Sequence, residues 1–315
     1  MPVPASLLVA IGGNATHPEN IRGTTEEQEA VAAGAARALL PLVRAENRLL
    51  ITHGNGPVVG KILYRMMLTR ETIPPMRLDV CVAHSQGGIG YLLMQALENA
   101  MRRAGIARQA ACMLTQVEVD ANDAAFASPS KPVGPFFSEQ EAQALRAKGW
   151  SMMADAGRGW RHSVPSPEPR SVVNLDLIEA MLATGAVVIA GGGGGIPVVR
   201  DAEGDWQGVQ AVVDKDLTSA LLARALAIPD LLILTAVEKV ALDFGTPSQR
   251  MLDRVTLSAL KAWQRAGQFA RGSMAPKVEA AIRHIEAGGE RAIISHLDCA
   301  LSALAGQTGT HVLRD

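Results

Sequence analysis

Five consecutive glycines, Gly191 to Gly195, directly follow the apolar residues 186–190 and directly precede Ile196 and Pro197. Because glycine has no Cβ, a turn made of it can adopt positive φ and bring its N–H groups close to an anion. The pattern predicts a buried strand that ends in a phosphate-binding turn. A flexible linker is the alternative, but linkers usually mix glycine with serine between domains.

Lysine is rare in this chain. Only seven of its 30 basic residues are lysines, at positions 61, 131, 148, 215, 239, 261 and 277. Three of them, Lys131, Lys215 and Lys277, lie in motifs that we predict to be loops. A lysine is a compact cation on a flexible stem and can follow a moving phosphoryl group, whereas arginine is a planar fork. Retention of these lysines by chance is the alternative.

Motifs for other chemistries are missing or incomplete. No P-loop motif occurs, and residues 54–60 resemble a dinucleotide fingerprint in which Pro57 interrupts the turn and the expected acidic residue is missing. The seven histidines have no metal-ligand spacing, so we predict no metal site made by the protein. Residues 85–88 are predicted to open a helix, not to supply a nucleophile. Glycine turns, isolated lysines and Asp216 beside Lys215 are what phosphoryl transfer requires, because its transition state needs positioning and charge neutralisation.

Composition narrows the class of protein further. Hydrophobic residues make up 48% of the chain but aromatic residues only 3%, which favours an aliphatic core of helices on a sheet. The net charge of −1 gives no reason to expect a nucleic acid or a membrane as partner, so small-molecule ligands are expected. Three cysteines, no targeting segment and no apolar run near ~18 residues predict reduced thiols and a cytoplasmic location.

Short apolar runs alternate with amphipathic segments along the chain. The predicted strands are residues 6–11, 48–52, 110–115, 187–190, 209–213, 231–235 and 291–295, with a possible edge strand at 310–313. The predicted helices are residues 25–42, which start with a capping-box pattern, 90–104, 174–184, 217–227 and 276–287. This alternation predicts an α/β fold with a mostly parallel sheet, where ligands bind at the carboxyl ends of the strands.

Residues 119–170 interrupt this rhythm. They contain six prolines, five aromatic residues and few long apolar runs. We interpret them as an inserted lid or protruding subdomain, not as a disordered linker.

Ten motifs, in order along the whole chain, closely resemble the carbamate kinase family of the amino acid kinase superfold. They are residues 11–15 (IGGNA), 51–57 (ITHGNGP), 85–91 (SQGGIGY), 114–117 (LTQV), 131–135 (KPVGP), 157–160 (GRGW), 164–169 (VPSPEP), 190–197 (AGGGGGIP), 213–217 (VDKDL) and 272–277 (GSMAPK). The resemblance implies one domain over residues 1–315, with an open, mainly parallel sheet of about eight strands between helical layers. Residues 119–170 would be the protruding subdomain.

The activity implied by the resemblance is reversible phosphoryl transfer between ATP and carbamate, giving ADP and carbamoyl phosphate with nucleotide-bound Mg²⁺. The family also implies a homodimer, ATP synthesis as the physiological direction, and arginine or purine breakdown as the context.

The resemblance assigns the site residues by position. Lys215 and Lys277 would stabilise the transferred phosphoryl group, Asp216 would orient them, and Lys131 would bind the carbamoyl phosphate end. The acceptor side would consist of Gly12, Gly13, Asn14, Gly54 and Asn55. The nucleotide side would include Gly191, Gly192, Gly193, Gly194, Thr235, Phe244 and Met274.

Alternatives remain for individual residues and for the function. Asp216 could cap a helix that begins at Leu217, although Asp214 is the better capping candidate. The chain departs from the commonest family pattern at residues 16–20, at Ala236 and at Ala275. Two alternative functions therefore remain. One is a kinase of the same fold that acts on another small carboxylate or phosphate acceptor, and the other is a non-catalytic nucleotide-binding paralogue.

Overall fold

The computed structural model describes residues 3–18, 21–44, 46–155, 159–270 and 272–315, with the side chain of Asn14 also outside the description. Within these ranges the strands, in chain order, are β1 (Ser6–Ile11), β2 (Arg48–His53), β3 (Ala110–Cys112), β4 (Gln116–Val119), β5 (Lys131–Phe137), β6 (Met152–Ala154), β7 (Trp160–Val164), β8 (Pro169–Val172), β9 (Val187–Ile189), β10 (Ile196–Arg200), β11 (Trp206–Gly208), β12 (Asp230–Thr235), β13 (Ala241–Leu242), β14 (Arg250–Met251), β15 (Arg254–Thr256), β16 (Arg291–His296) and β17 (Thr310–Leu313). The α-helices are α1 (Thr25–Leu39), α2 (Gly56–Thr69), α3 (Leu78–Arg103), α4 (Glu139–Ala147), α5 (Leu175–Ala183), α6 (Lys215–Ala225), α7 (Leu257–Arg265), α8 (Met274–Glu286) and α9 (Ala300–Leu304).

Eight strands form the central sheet, in the order β15-β17-β16-β12-β1-β2-β9-β3. Six of them are parallel, while β17 runs antiparallel to β16 and pairs in parallel with β15 at the edge. The predicted α/β class and the open, mainly parallel sheet of about eight strands are confirmed.

Apolar side chains alternate between the two faces of this sheet, and both faces are covered by helices. Leu7, Val9 and Ile11 of β1 pack with buried residues of α1, α3 and α9. Leu8 and Ala10 of the same strand pack on the other face with α5, α6, α7 and α8. Because helices cover both faces, the inner strands β1, β2, β9, β12 and β16 are mostly buried apolar runs, and the sequence pattern alone predicts them.

The carboxyl ends of the central strands lie at one edge of the sheet. The Gly12 N–H donates to the Leu234 carbonyl at 2.9 Å, and the Gly54 N–H donates to the Ile11 carbonyl at 3.0 Å. The predicted glycine turns after β1 and β2 are thus adjacent, as expected for parallel strands in register. The turn that follows β9 lies beside them, since β9 pairs with β2.

Several predicted elements differ from the structure. Residues 209–213 form no strand: Ala211, Val212 and Val213 are buried, but they lie in a segment without regular secondary structure, and their apolar character reflects burial alone. Residues 310–313 do form β17, yet β17 lies inside the sheet because β15 covers it. Residues 85–88 lie inside α3, which begins at Leu78 and not near residue 90.

The start of α1 was predicted correctly from its capping-box pattern. Helix α1 begins with a capping box in which the Thr24 side chain accepts from the Glu27 N–H and the Glu27 carboxylate accepts from the Thr24 N–H. Pro57, which the sequence had placed in a turn, lies in the first turn of α2. Proline is tolerated there because the first N–H groups of a helix have no partner inside the helix.

Residues 119–170 contain a small sheet of their own. Strands β5, β7 and β6 are antiparallel and pack with α4 around Phe137, Ala142, Leu145 and Met152. This unit contacts α2 closely, because a Cβ on Gly60 would overlap the backbone of Gly134 in β5. This contact fixes the backbone position of β5 and therefore of Lys131, its first residue. The division into a domain and a protruding subdomain stays a prediction.

The described residues contain no disulfide, and Cys81, Cys112 and Cys299 are free. Burial raises the pKa of both the Cys81 and the Cys112 thiol to about 11. No helix in the described ranges is long and apolar enough to cross a membrane.

Candidate functional site

A cavity of about 1010 Å³ lies at the carboxyl ends of the central strands. Its wall combines the glycine turns after β1 and β2, the loop after β12, the first turns of α6 and α8, and β5. The four predicted catalytic residues line it: Lys131, Lys215, Asp216 and Lys277. None of these lysines lies in a loop, since they occupy the first residue of β5, the first residue of α6 and the first turn of α8.

Asp216 holds two lysines on its two carboxylate oxygens. Lys215 Nζ forms a short ion pair with Asp216 Oδ1, and Lys277 Nζ lies 3.2 Å from Asp216 Oδ2. Lys277 Nζ also donates to the Ser273 carbonyl at 3.1 Å. The Asp216 and Lys215 side chains are 3% and 8% exposed, so the pair is nearly dry while still at the cavity wall.

The two lysines experience this environment differently. Burial lowers the pKa of Lys215, partly opposed by Asp216. Burial acts on Lys277 in the same direction, but the carboxylates of Asp216 and Asp214 outweigh it, and the pKa of Lys277 is raised. Two cations sharing one carboxylate leave a net positive charge, which suits an anionic group in the cavity.

Asp214 has two structural roles. Its Oδ1 caps α6 by accepting from the N–H groups of Asp216 at 2.9 Å and Leu217 at 3.4 Å. Its Oδ2 accepts from Lys131 Nζ at 2.7 Å. Burial raises the pKa of Asp214, but Lys131, Lys277 and Lys215 together hold it well below its usual range. The prediction that Asp214 caps the helix is confirmed, whereas its ion pair with Lys131 is a role that the sequence did not reveal.

The five-glycine run forms a buried single turn of 3-10 helix after β9. Gly193 has a φ of 63° and lines the cavity, and a Cβ there would overlap the Asn55 amide. Among the described residues, the predicted nucleotide contacts Gly191, Gly192 and Gly194 lie behind this wall and do not line it. Their sequence signal reflects tight packing, since a Cβ on Gly192 would overlap the His53 ring.

The side chains of His53 and Asn55 pack against Gly192 and Gly193 of the glycine turn. His53 Nδ1 lies 3.1 Å from the Gly54 carbonyl, and burial lowers its pKa to about 4, so the ring is neutral. Asn55 Nδ2 donates to Ser85 Oγ at 2.8 Å. His53 therefore orders the turn that follows β2.

The predicted acceptor residues Gly12, Gly13, Gly54 and Asn55 line the cavity. The side chain of Asn14 lies outside the described residues. On the nucleotide side, Thr235, Phe244 and Met274 line the cavity, together with Ala236, which the sequence had noted as a departure from the family. Phe244 is 72% exposed, which leaves its ring available to a planar ligand.

Sequence reasoning missed three cationic groups and two histidines in the wall. Lys61, Arg161 and Lys239 line the cavity, and so do His17 and His296. Lys61 Nζ lies 2.6 Å from His17 Nε2 and donates to the Arg22 carbonyl at 2.9 Å. The signals were available, because Lys61 is one of only seven lysines and His17 belongs to the departure at residues 16–20.

A sequence profile of the Amino acid kinase family matches residues 6–296. The chain belongs to the amino acid kinase family. It is 45% identical over 312 residues to Carbamate kinase-like protein YahI of Escherichia coli, with 98% of both chains covered. It is 44% identical over 313 residues to the Carbamate kinase of Thermococcus kodakarensis, covering 98% of this chain and 99% of that protein. The resemblance to the carbamate kinases found in the sequence is confirmed.

Solved structures agree with these relatives. The Carbamate kinase from Giardia lamblia bound to citric acid matches with a TM-score of 0.93 at 39% identity, covering 98% of each chain. The same enzyme bound to AMP-PNP matches with a TM-score of 0.89 at 39% identity, again covering 98% of each chain. The amino acid kinase fold predicted from the motifs is therefore confirmed.

Proposed function

We propose that this protein is a carbamate kinase, which transfers a phosphoryl group reversibly between ATP and carbamate and forms ADP and carbamoyl phosphate. The single observation that carries the proposal is the convergence of Lys131, Lys215 and Lys277 on one cavity through Asp214 and Asp216. Full-length identity of 44% to a Carbamate kinase supports the choice of acceptor.

In this proposal the cationic groups act on the phosphoryl group during transfer. Lys215 and Lys277 neutralise the negative charge that spreads over the phosphoryl oxygens, and Asp216 keeps both ammonium groups in place. Lys131 binds the phosphate of carbamoyl phosphate, for which it exchanges its ion pair with Asp214. Because little covalent chemistry is needed, fixed cations in a largely dry wall are sufficient catalysts.

The neutral parts of the wall position the two substrates. The N–H groups of Gly12, Gly13 and Gly54, with the side chains of Asn14 and Asn55, bind the acceptor. Gly193 approaches the nucleotide phosphates. Gly191, Gly192 and Gly194 allow the turn to pack closely against its neighbours, because a Cβ at any of these positions would meet other atoms at 3.0 Å or less. Thr235, Phe244 and Met274 contact the nucleoside, and the AMP-PNP-bound relative supports a nucleotide in this cavity.

Mg²⁺ would enter with the nucleotide, where it neutralises the phosphate oxygens. The acidic side chains near the lysines fit this arrangement, since Asp214 and Asp216 are already occupied by lysines or helix N–H groups. Among the described residues, no group of three or more His, Cys, Asp or Glu side chains could hold a metal ion. The chain would therefore hold Mg²⁺ through the bound phosphates.

We further propose that the unit within residues 119–170 acts as a lid carrying Lys131, that the protein is a cytoplasmic homodimer, and that it makes ATP in the cell. The position of Lys131 supports the lid assignment, since it is the first residue of β5 in this unit and lines the cavity. Sedimentation of the purified protein measures the oligomeric state directly.

The decisive assay is ATP formation from ADP, carbamoyl phosphate and Mg²⁺, followed by luciferase. We expect ATP formation by the wild type and a rate about 10²–10³-fold lower for Lys215→Ala, which removes one fixed charge donor. The variant is purified in parallel and so also controls for contaminating kinases. ATP production at background level by the folded wild type would refute the proposal.

A kinase that acts on another small acceptor is the second candidate. It is favoured by the 45% identity to a protein named only carbamate kinase-like, by the departure from the family pattern at residues 16–20 and by Ala236 in the wall. ADP formation from ATP, measured with carbamate and with a panel of small carboxylates, separates the two candidates, because it shows which acceptor is phosphorylated. Nucleotide binding without turnover of any acceptor would instead indicate a non-catalytic paralogue.

A further inference from the structure

Lys61 lies in the cavity wall on the side of the predicted acceptor residues. It projects from α2, whose first residues Gly56 and Pro57 also line the cavity directly after Asn55. A lysine ammonium has three N–H donors. Two are used, by His17 Nε2 at 2.6 Å and by the Arg22 carbonyl at 2.9 Å, which leaves one donor for a ligand.

Lys61 differs from the other cavity lysines in its charge balance. Lys131, Lys215, Lys239 and Lys277 each form an ion pair with an aspartate. Within the described ranges, Lys61 is the cavity lysine that has no such carboxylate partner. Glu27 acts on Lys61 only at longer range, and burial together with the charge of Arg65 outweighs it, so the pKa of Lys61 is lowered. A cation in a partly buried wall without a carboxylate in contact favours binding of an anion from solution.

The position of Lys61 is fixed through His17. The backbone N–H of His17 donates to the Gly13 carbonyl at 2.8 Å, which fixes the His17 backbone beside a predicted acceptor residue. His17 is 3% exposed, and burial followed by the charge of Lys61 lowers its pKa. The neutral ring therefore accepts from Lys61 at Nε2 and carries its proton on Nδ1.

This arrangement has a structural cost. His17 Nδ1 is buried without a hydrogen-bond partner among the described residues, and an unpaired buried donor costs about 1–3 kcal/mol. Residue 23 must also remain small, since a Cβ on Gly23 would overlap His17 and lie 2.9 Å from Lys61 Nζ. The unpaired Nδ1 is a cost to the folded state, and it is retained where Lys61 reaches the cavity wall, which points to a functional reason for holding Lys61 here.

We propose that Lys61, positioned by His17, is a specificity-determining residue that binds the planar –CO₂⁻ group of the acceptor. This group is common to the carbamate anion and to small carboxylates. The inference rests on the proposed function only for the identity of the acceptor, because the cationic subsite itself is defined by Lys61, His17 and Gly13.

The first test compares the kinetics of ADP formation from ATP with carbamate, acetate or malonate as acceptor. For the acceptor that reacts, we expect Lys61→Gln to raise KM about tenfold, the value of one charge-assisted hydrogen bond, with kcat and the KM for ATP nearly unchanged. Lys148→Gln is the matched control, since Lys148 is exposed and outside the cavity. Lys61→Arg keeps the cation and should keep the acceptor KM near the wild-type value.

The same assay tests His17 as a positioning residue. His17→Ala should raise the acceptor KM without lowering kcat, whereas His17→Gln, which retains an acceptor atom for Lys61, should restore it. A purely structural role would lower the thermal midpoint of both variants and leave no difference in KM between them. An acceptor KM in Lys61→Gln equal to that in Lys148→Gln overturns the proposal while leaving the kinase activity intact.

Failure of the proposed function gives a different result. If the wild type phosphorylates none of these acceptors, oxalate binding measured by calorimetry replaces the kinetic readout. We then expect Lys61→Gln to weaken oxalate binding about tenfold relative to Lys148→Gln. Equal affinity in the two variants, or no oxalate binding by the folded wild type, overturns the subsite.

Discussion

Replacing Asp216 by asparagine tests how the lysines are held. Asparagine keeps the volume but removes the one carboxylate shared by Lys215 and Lys277. At an effective dielectric constant of about 20, the Coulomb attraction between two unit charges at the 3.2 Å Lys277–Asp216 distance is about 5 kcal/mol. Removing one partner of a buried ion pair generally costs about 3–5 kcal/mol. We therefore expect Asp216→Asn to lose about 3 kcal/mol or more of unfolding free energy.

Activity should change in a way that identifies the cause. Both ammonium groups must be protonated to neutralise the phosphoryl group, and burial already lowers the pKa of Lys215. Without Asp216 its pKa falls further, because the carboxylate favours the charged form. The pH above which kcat declines should therefore move to lower pH, and kcat below it should drop about 10²-fold.

The assays are urea denaturation and the pH profile of ATP formation. Glu286→Gln is the matched control, since it removes the carboxylate of the Lys261–Glu286 pair, whose side chains are 40% and 42% exposed. An exposed pair contributes at most about 1 kcal/mol, and this one lies outside the cavity. The reasoning is refuted if Asp216→Asn matches Glu286→Gln in stability and keeps the wild-type pH profile.

Four further expectations concern single residues. Lys277→Ala should lower kcat about 10²–10³-fold in steady-state assays, because it removes one fixed cation. Lys131→Ala should mainly raise the KM for carbamoyl phosphate. Gly193→Ala should raise the KM for ADP and cost about 1–3 kcal/mol of stability, since its φ of 63° and the neighbouring amide oppose a Cβ. His53 should make the free energy of unfolding fall by about 3 kcal/mol as the pH falls from about 6.5 to about 4, as measured by urea denaturation. The reason is that His53 is protonated in the unfolded chain at a higher pH than in the folded protein.

Each of these expectations has its own contrary outcome. Wild-type turnover by Lys277→Ala, or an unchanged carbamoyl phosphate KM in Lys131→Ala, would remove that lysine from the site. Gly204→Ala controls for Gly193→Ala, since Gly204 has a φ of 89° but no atom within 4 Å of a Cβ. Equal stability losses in the two glycine variants would show that only backbone strain matters. The His53 assignment fails if His53→Asn leaves the acid slope of the stability curve unchanged.

The sequence predicted the central sheet well because that signal is local. The predicted range of β1 is identical to the observed one, and β2, β12 and β16 differ by single residues at their ends. Buried parallel strands are continuous apolar runs, and glycine at their ends follows from the turns required there. Residues 209–213 carried the same apolar signal without forming a strand, since burial alone produces it.

By itself, the sequence determined the fold class, the family and the identity of three cavity lysines. The tertiary structure decided which groups meet, because Lys131 pairs with Asp214 across 83 residues and Lys277 with Asp216 across 61. It also decided that Gly193 of the glycine run lines the cavity while Gly191, Gly192 and Gly194 do not. The contact of Lys61 with His17 on the acceptor side likewise depends on the tertiary structure. Such pairings depend on how whole elements pack, and no local periodicity or propensity encodes the distance between side chains so far apart in the chain.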